Sequence, residues 1–208
     1  MQKVDQPTIQ HEPWAEPAWD VALLFPAQGA WSVDDYLALD TNRLVEFSHG
    51  RIEVLPMPSD KHQTIVLFLA TIFLAFAQRV GGKVLVAPIR LRLWPEKVRE
   101  PDLLFLADAD DPRRQDDFWT GADLVVEVVS PDDPRRDLVT KRFEYARAGI
   151  PEYWIVDPRT ETITVLHLRA VGEENVYTEF GRFGRGETAA SATYPEVTVD
   201  VAAVIDAD

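Results

Sequence analysis

The chain has 208 residues, 46% hydrophobic and 10% aromatic, no cysteine, and 21 basic against 35 acidic residues for a formal net charge of −14. That length accommodates one domain with an extension, and the apolar content supplies a real core and argues against bulk disorder. The absence of cysteine excludes disulfides and thiolate metal sites and fits a reducing cytoplasm, while the acidity repels duplex nucleic acid at long range unless a basic patch or a bound divalent cation reverses it locally.

Residues 1–30 are rich in Pro, Trp, Gln and Glu without a sustained period, and read as an N-terminal extension that Trp14 and Trp19 could dock on the core. Met1 to Trp14 has no apolar stretch of the kind a signal peptide needs. Ser32 followed by Asp35 is a capping box and predicts a short helix to about Leu39. Leu44 to Phe47, a His49-Gly50 turn and Arg51 to Leu55 predict a hairpin, stopped by Pro56 and Pro58. His62 to Arg79 is the long helix, closed at Gly81-Gly82. Its apolar residues surround most of the circumference, so it is buried against a sheet or a partner chain. Its apolar run from Ile65 to Ala77 falls short of the roughly 20 residues a membrane span needs, and no membrane contact is expected.

Val84 to Leu93 alternates, with Arg90 and Arg92 on one face and Leu91 and Leu93 on the other, and predicts a strand. Val98 to Leu106 predicts the next strand, carrying Asp102, and a charged loop follows from Asp108 to Thr120. Leu124 to Val129 predicts a strand carrying Glu127, and Asp137 to Ala148 a helix that Gly149 ends. Tyr153 to Val156, Thr162 to Leu168 and Val176 to Phe180 complete the strands, before a short segment from Val199 to Ile205. Helices and strands in this order make a mixed α/β domain over residues 31–206.

The chemistry concentrates in two acids inside apolar, β-branched runs. A carboxylate in such a place is costly unless paired or metal-bound. Asp102 and Glu127 are 25 positions apart, enough for a strand, a loop and a neighbouring strand, so side by side they could share Mg²⁺, which takes hard oxygen ligands. Equally, Asp102 could cap a turn and Glu127 could pair with an arginine. His62 opens the long helix near its positive end, a natural phosphate seat or simply a structural histidine. Arg90, Arg92, Arg99, Arg113, Arg114, Arg135, Arg136, Lys141, Arg142 and Arg147 are the cations that could form a basic patch. A Gly-x-Ser-x-Gly elbow, a Gly-rich phosphate loop and a zinc-type His pair are all missing.

Arg51-Ile52-Glu53-Val54-Leu55-Pro56-Met57-Pro58, His62-Gln63, Arg99-Glu100-Pro101-Asp102, Val126-Glu127-Val128-Val129-Ser130-Pro131 and Ala148-Gly149-Ile150-Pro151-Glu152-Tyr153-Trp154 occur in that order. Together they resemble the Uma-two family of restriction-endonuclease-like proteins, within the PD-(D/E)XK nuclease superfamily, over roughly residues 31–206. The resemblance implies an αβββαβ core with a central mixed sheet flanked by helices, and a metal-dependent endonuclease acting on nucleic acid, most often DNA. Superfamily members that have lost catalysis make an idle binding module the alternative. It places the metal, Mg²⁺ or Mn²⁺, on Asp102 and Glu127, with the upstream Glu46 and the Val128 carbonyl as further ligands. The superfamily's lysine lies two residues after the glutamate, where this chain has Val129; the family's relocated lysine matches Lys141 on the following helix. That ammonium would serve the transition state, unless it pairs on the surface with Glu144 or Glu152. Tyr145, one turn on, would buttress it or contact substrate, and Arg99 and His62 would bind substrate. Arg51 stands where many relatives have an acid, which excludes a metal role there. The apolar long helix and the habits of nucleases point to a homodimer.

Overall fold

The computed structural model describes residues 25–41 and 43–208, so the expected docking of Trp14 and Trp19 lies outside the described residues. Helix α1 (Val33–Leu37) starts at the expected capping box, with Ser32 and Asp35 each accepting the other's backbone N–H at 3.0 Å. Strands β1 (Val45–Ser48) and β2 (Arg51–Val54) form the expected hairpin. Gly29 and Trp31 donate their N–H groups to the Gly50 carbonyl at 2.7 and 3.1 Å, which ties the preceding segment to its turn.

The long helix α2 runs Asp60–Val80, two residues earlier than expected, because the Ser59 hydroxyl caps it by accepting the His62 N–H at 3.2 Å. Gly81 closes it at φ 78°, a left-handed position that a side chain would strain. By length and composition α2 could cross a membrane. Here it covers a sheet, with Ile65, Leu69 and Phe73 at most 1% exposed. Each such side chain contributes about 1.5–3 kcal/mol through burial. That seam fixes the helix and, at its first turn, His62.

Two of the expected strands prove to be four. Val84 to Leu93 divides at Ala87-Pro88-Ile89 into β3 (Lys83–Val86) and β4 (Leu91–Trp94). Val98 to Leu106 divides at Glu100-Pro101-Asp102 into β5 (Lys97–Arg99) and β6 (Leu103–Leu106). Both breaks hold a proline, which has no N–H to give a ladder. The chain uses them to pass between sheets. One sheet has the order β2-β1-β5-β4. The other contains β3, β6, β7 (Leu124–Val128), β8 (Glu152–Asp157), β9 (Thr162–Val171) and β10 (Glu174–Gly184), in the order β10-β9-β8-β7-β6-β3. Asp102 therefore lies in the corner between the sheets and not within a strand.

Between β7 and β8 the expected helix begins as a π-helical turn, Arg136–Thr140, and continues as α3 (Lys141–Arg147). Strands β7 and β8 are parallel and all other neighbours in the six-stranded sheet are antiparallel. Helix α2, strands β3, β6 and β7, helix α3 and strand β8 thus give the αβββαβ order, with the β4-β5 excursion inserted. The sheet has a core on each face. Leu103, Phe105 and Val126 pack towards α2, and Leu104, Val125 and Tyr153 towards α3 with Tyr145. Glu127 shares the parity of Val125 and so faces α3.

The chain ends with β11 (Thr188–Ala190), β12 (Thr198–Asp200) and α4 (Val201–Ile205), so the expected terminal segment is a strand running into a helix. Fully buried Glu152 fastens this part to the main sheet. Its carboxylate accepts from Trp154 Nε1 at 2.6 Å, Thr193 N at 2.8 Å and Ser191 Oγ at 2.9 Å. The Ala192 N–H adds a fourth donor at 3.3 Å, which satisfies the buried carboxylate and makes β8 a rigid neighbour for β7.

Candidate active site

The register of β6 with β7 pairs Leu103 with Val126. One step further, the same register sets Asp102 opposite Glu127. The Val128 N–H donates to Asp102 Oδ2 at 2.7 Å, and His62 Nε2, from the first turn of α2, lies 3.2 Å from the same oxygen. Asp102 is thus held from two elements, with one oxygen engaged on the protein.

Glu127 is 2% exposed and faces α3. Lys141 Nζ lies 2.8 Å from its Oε2, and the Tyr145 hydroxyl donates to its Oε1. The spacing of Lys141 and Tyr145, one turn apart on α3, puts both on this acid. Lys141 is itself buried, and a second acid reaches it: Asp137 Oδ1 at 3.0 Å, four residues back through the π-helical turn. Glu46 Oε1 stands 3.9 Å away. Burial works against the Lys141 charge, but Glu127, Asp137 and Glu46 outweigh it and hold the ammonium above its ordinary range. Glu127 is raised as well, which for an acid disfavours the charged form. Burial pushes its carboxyl well up; Lys141 opposes this, and the charges of Asp102 and Asp137 add to it. Two crowded carboxylates, one of them reluctant to ionise, are the electrostatic condition that a divalent cation relieves.

Glu46, expected as a further metal ligand, meets cations of the protein. Its carboxylate pairs with Arg99 Nη1 and accepts the Glu100 N–H at 3.3 Å. Burial raises its proton affinity, yet Lys141 and Arg99 prevail and keep it ionised. Arg99 in turn gives Nε and Nη2 to Glu144 at 2.7 and 3.0 Å, and Lys97 Nζ reaches Glu144 at 2.6 Å. Arg99, expected to bind substrate, is 4% exposed with its guanidinium enclosed by Glu46 and Glu144. Tyr145, likewise expected near substrate, is fully buried. Both support the site from behind. Of the partners first considered for Lys141, Glu144 belongs to Arg99 and Lys97, and Glu152 to Trp154 and Ser191.

A cavity of about 340 Å³ opens onto this centre, walled by Pro56, Met57, His62, Asp102, Glu127 and Lys141. Glu100, Asp137, Arg136 and Arg159 also line it. Burial pushes the Glu100 carboxyl up to about 7, although the Val45 N–H donates to it at 2.9 Å. Sequence reading gave Asp137 and Glu100 no role. The i,i+4 spacing of Asp137 and Lys141 was the available signal for the first. For Glu100 there was none, because its burial comes from the turn between the sheets.

Most of the cations named for a basic patch are spent elsewhere. Arg113 pairs with Asp111 and Asp123, Arg90 lies over Tyr36, Arg92 over Phe118 and Arg147 over Trp94, and Arg142 donates to the Tyr177 carbonyl. Among the described residues no three His, Cys, Asp or Glu side chains form a ready-made metal cage. Two carboxylates still suit Mg²⁺, which is commonly held by one or two acids and keeps several waters. Asp102 and Glu127, with the Val128 carbonyl at the end of β7, are the donors that would hold it.

Residues 33–202 match the family model described as "Uma2: Putative restriction endonuclease". The fold resembles the crystal structure of "a putative nuclease belonging to DUF820 from Anabaena variabilis ATCC 29413". The TM-score is 0.66 and the identity 17%, covering 84% of this chain and 97% of that one. No curated protein matches this chain.

Proposed function

We propose that this chain, which belongs to the Uma2 family of restriction-endonuclease-like proteins, is a metal-dependent nuclease that hydrolyses phosphodiester bonds, with DNA as its substrate. The observation that carries the reading is the meeting of Asp102, Glu127 and Lys141 in one cavity at the corner between two sheets. Held by Asp102 and Glu127, Mg²⁺ or Mn²⁺ would polarise the phosphoryl oxygen and lower the pKa of a water. The protein's part is placement. His62 and the Val128 N–H orient Asp102, Tyr145 orients Glu127, and Glu46 and Asp137 hold Lys141. Lys141 presents a fixed positive charge to the developing phosphorane-like transition state. Glu46 on this reading acts on Lys141.

Purified chain should nick supercoiled plasmid with Mg²⁺ or Mn²⁺ and stop when EDTA is added. Asp102→Asn should abolish nicking. A native chain that leaves plasmid and single-stranded DNA intact under both metals would sink the enzyme reading. The net charge of −14 and the internal use of most arginines favour a catalytically idle nucleic-acid- or protein-binding module as the second reading. Retained DNA binding without cleavage would select it.

The proposal includes a homodimer. The outer face of α2 carries Leu67 at 59% and Leu74 at 44% exposure, two turns apart on one stripe. Light scattering should give twice the 23.5 kDa of one chain, and a mass near 23.5 kDa at high concentration would refute the dimer.

A further inference from the structure

Among the described residues, a cation in the cavity wall, Arg136, is only partly paired. Arg136 opens the π-helical turn that leads to Lys141, and its side chain is 10% exposed. Its Nη1 donates to Glu53 Oε1 at 3.1 Å. Among the described residues its buried Nε has no hydrogen-bond partner, and neither has its Nη2. Buried donors are rarely left unpaired, and each one that is needs a physical reason. Among the described residues only three buried side-chain atoms are in this condition: His62 Nδ1, Trp94 Nε1 and Arg136 Nε. Two of the three residues, His62 and Arg136, line this cavity.

We infer that Arg136 is the phosphate-binding arginine of this site: its guanidinium, tethered to Glu53 through Nη1 alone, lets go of that carboxylate and turns its Nε–Nη2 edge to the non-bridging oxygens of a phosphodiester. The inference rests on the nuclease reading and names the contact that reading lacks. The unpaired edge carries two parallel N–H groups, the geometry that matches two oxygens of one phosphate. Glu53 is suited to give way. It is 57% exposed on β2, the edge strand of its sheet, and half-exposed ion pairs contribute little net stability. The same strand runs into the Leu55–Ser59 part of the cavity wall, so exchange of Glu53 for phosphate would move one wall of the cavity as substrate enters. Arg136 and Lys141 also come from one short segment, and π-helical turns recur at functional sites. The turn lets Asp137 bond Lys141 while Arg136 faces the hairpin.

The test is binding of a short fluorescein-labelled DNA, single-stranded and duplex, in Ca²⁺ in place of Mg²⁺, followed by anisotropy. Arg136→Ala should weaken binding about 10- to 100-fold, the range for a lost hydrogen bond to a charged group. The thermal shift given by Mg²⁺ should stay as in the native chain. Arg136→Lys, which keeps the charge and the fold but loses the fork, should recover only part. Glu53→Gln should tighten binding several-fold, and that gain should vanish in the Arg136→Ala background. Equal binding by Arg136→Ala and the native chain overturns the inference and leaves the nuclease reading standing. So does a Glu53→Gln gain of the same size in both backgrounds, which would be a general charge effect. A native chain that binds neither DNA overturns both.

Discussion

Lys141→Ala is expected to lower turnover about 100-fold or more and to cost the folded chain about 3–5 kcal/mol. Both effects come from one arrangement. The ammonium is buried, 2.8 Å from Glu127 and 3.0 Å from Asp137, with Glu46 next. Removing it leaves three buried carboxylates facing one another, and the penalty is that of uncompensated charge more than of a lost contact. Proton uptake by Glu127, whose carboxyl is already pushed up by burial, would recover part of the cost. The two effects can be separated. Urea melts in EDTA report the stability loss, and turnover measured on the folded protein at saturating metal reports the catalytic one. Lys141→Arg should rescue neither well, because the planar fork needs more room than the point charge it replaces. If Lys141→Ala melts with the native chain and cleaves at the native rate, Lys141 has no role in the site. Loss of stability with native turnover would make it a structural cation, and the catalytic charge would then be sought at Arg136.

The parts of the site that could be read in the sequence are those whose signal is local. Asp102 and Glu127 stand out because an acid at or inside an apolar, β-branched run is costly unless paired or metal-bound, although the run itself does not say which. The long helix, the β1-β2 hairpin and the Leu124–Val128 strand follow from period and from Gly and Pro punctuation. What could not be read is which sheet a strand joins. Val84 to Leu93 and Val98 to Leu106 alternate equally well in one sheet or two, and only Pro88 and Pro101 hinted at the breaks. The misplacement of the cations has the same root. Arg99 sits two residues from Pro101 in a sequence that looks like a site rim, yet β5 carries it into the space between Glu46 and Glu144. Glu46 looks like a ligand by order along the chain, but its orientation depends on Arg99, 53 positions away. Arg136 was one cation among ten until the hairpin that holds it was in place.

Mg²⁺ or Mn²⁺ is expected to raise the melting temperature of the native chain by roughly 5 °C or more at about 100 times its dissociation constant. A ligand that binds only the folded state at that concentration contributes about 2.7 kcal/mol, and in a chain of this size each kcal/mol is worth about 2–4 °C. The gain arises because the cation relieves the repulsion that folding imposes on Asp102 and Glu127. A chain with a net charge of −14 will also respond to any divalent salt through screening, so the size of the shift alone decides nothing. The comparison that decides is Asp102→Asn combined with Glu127→Gln, which keeps shape and removes both ligands. Scanned against NaCl of matched ionic strength, this variant should retain only the screening component, a small shift shared by all divalent salts. The native chain should show that component plus one that saturates at low metal. The substitution also leaves Lys141 with Asp137 and Glu46, so its charge stays compensated and the fold should survive the change. If the native chain and the double variant shift equally, the two acids hold no metal. The burial of Glu127 beside Asp102 would then belong to the fold alone, and the metal-dependent reading of the cavity would go with it.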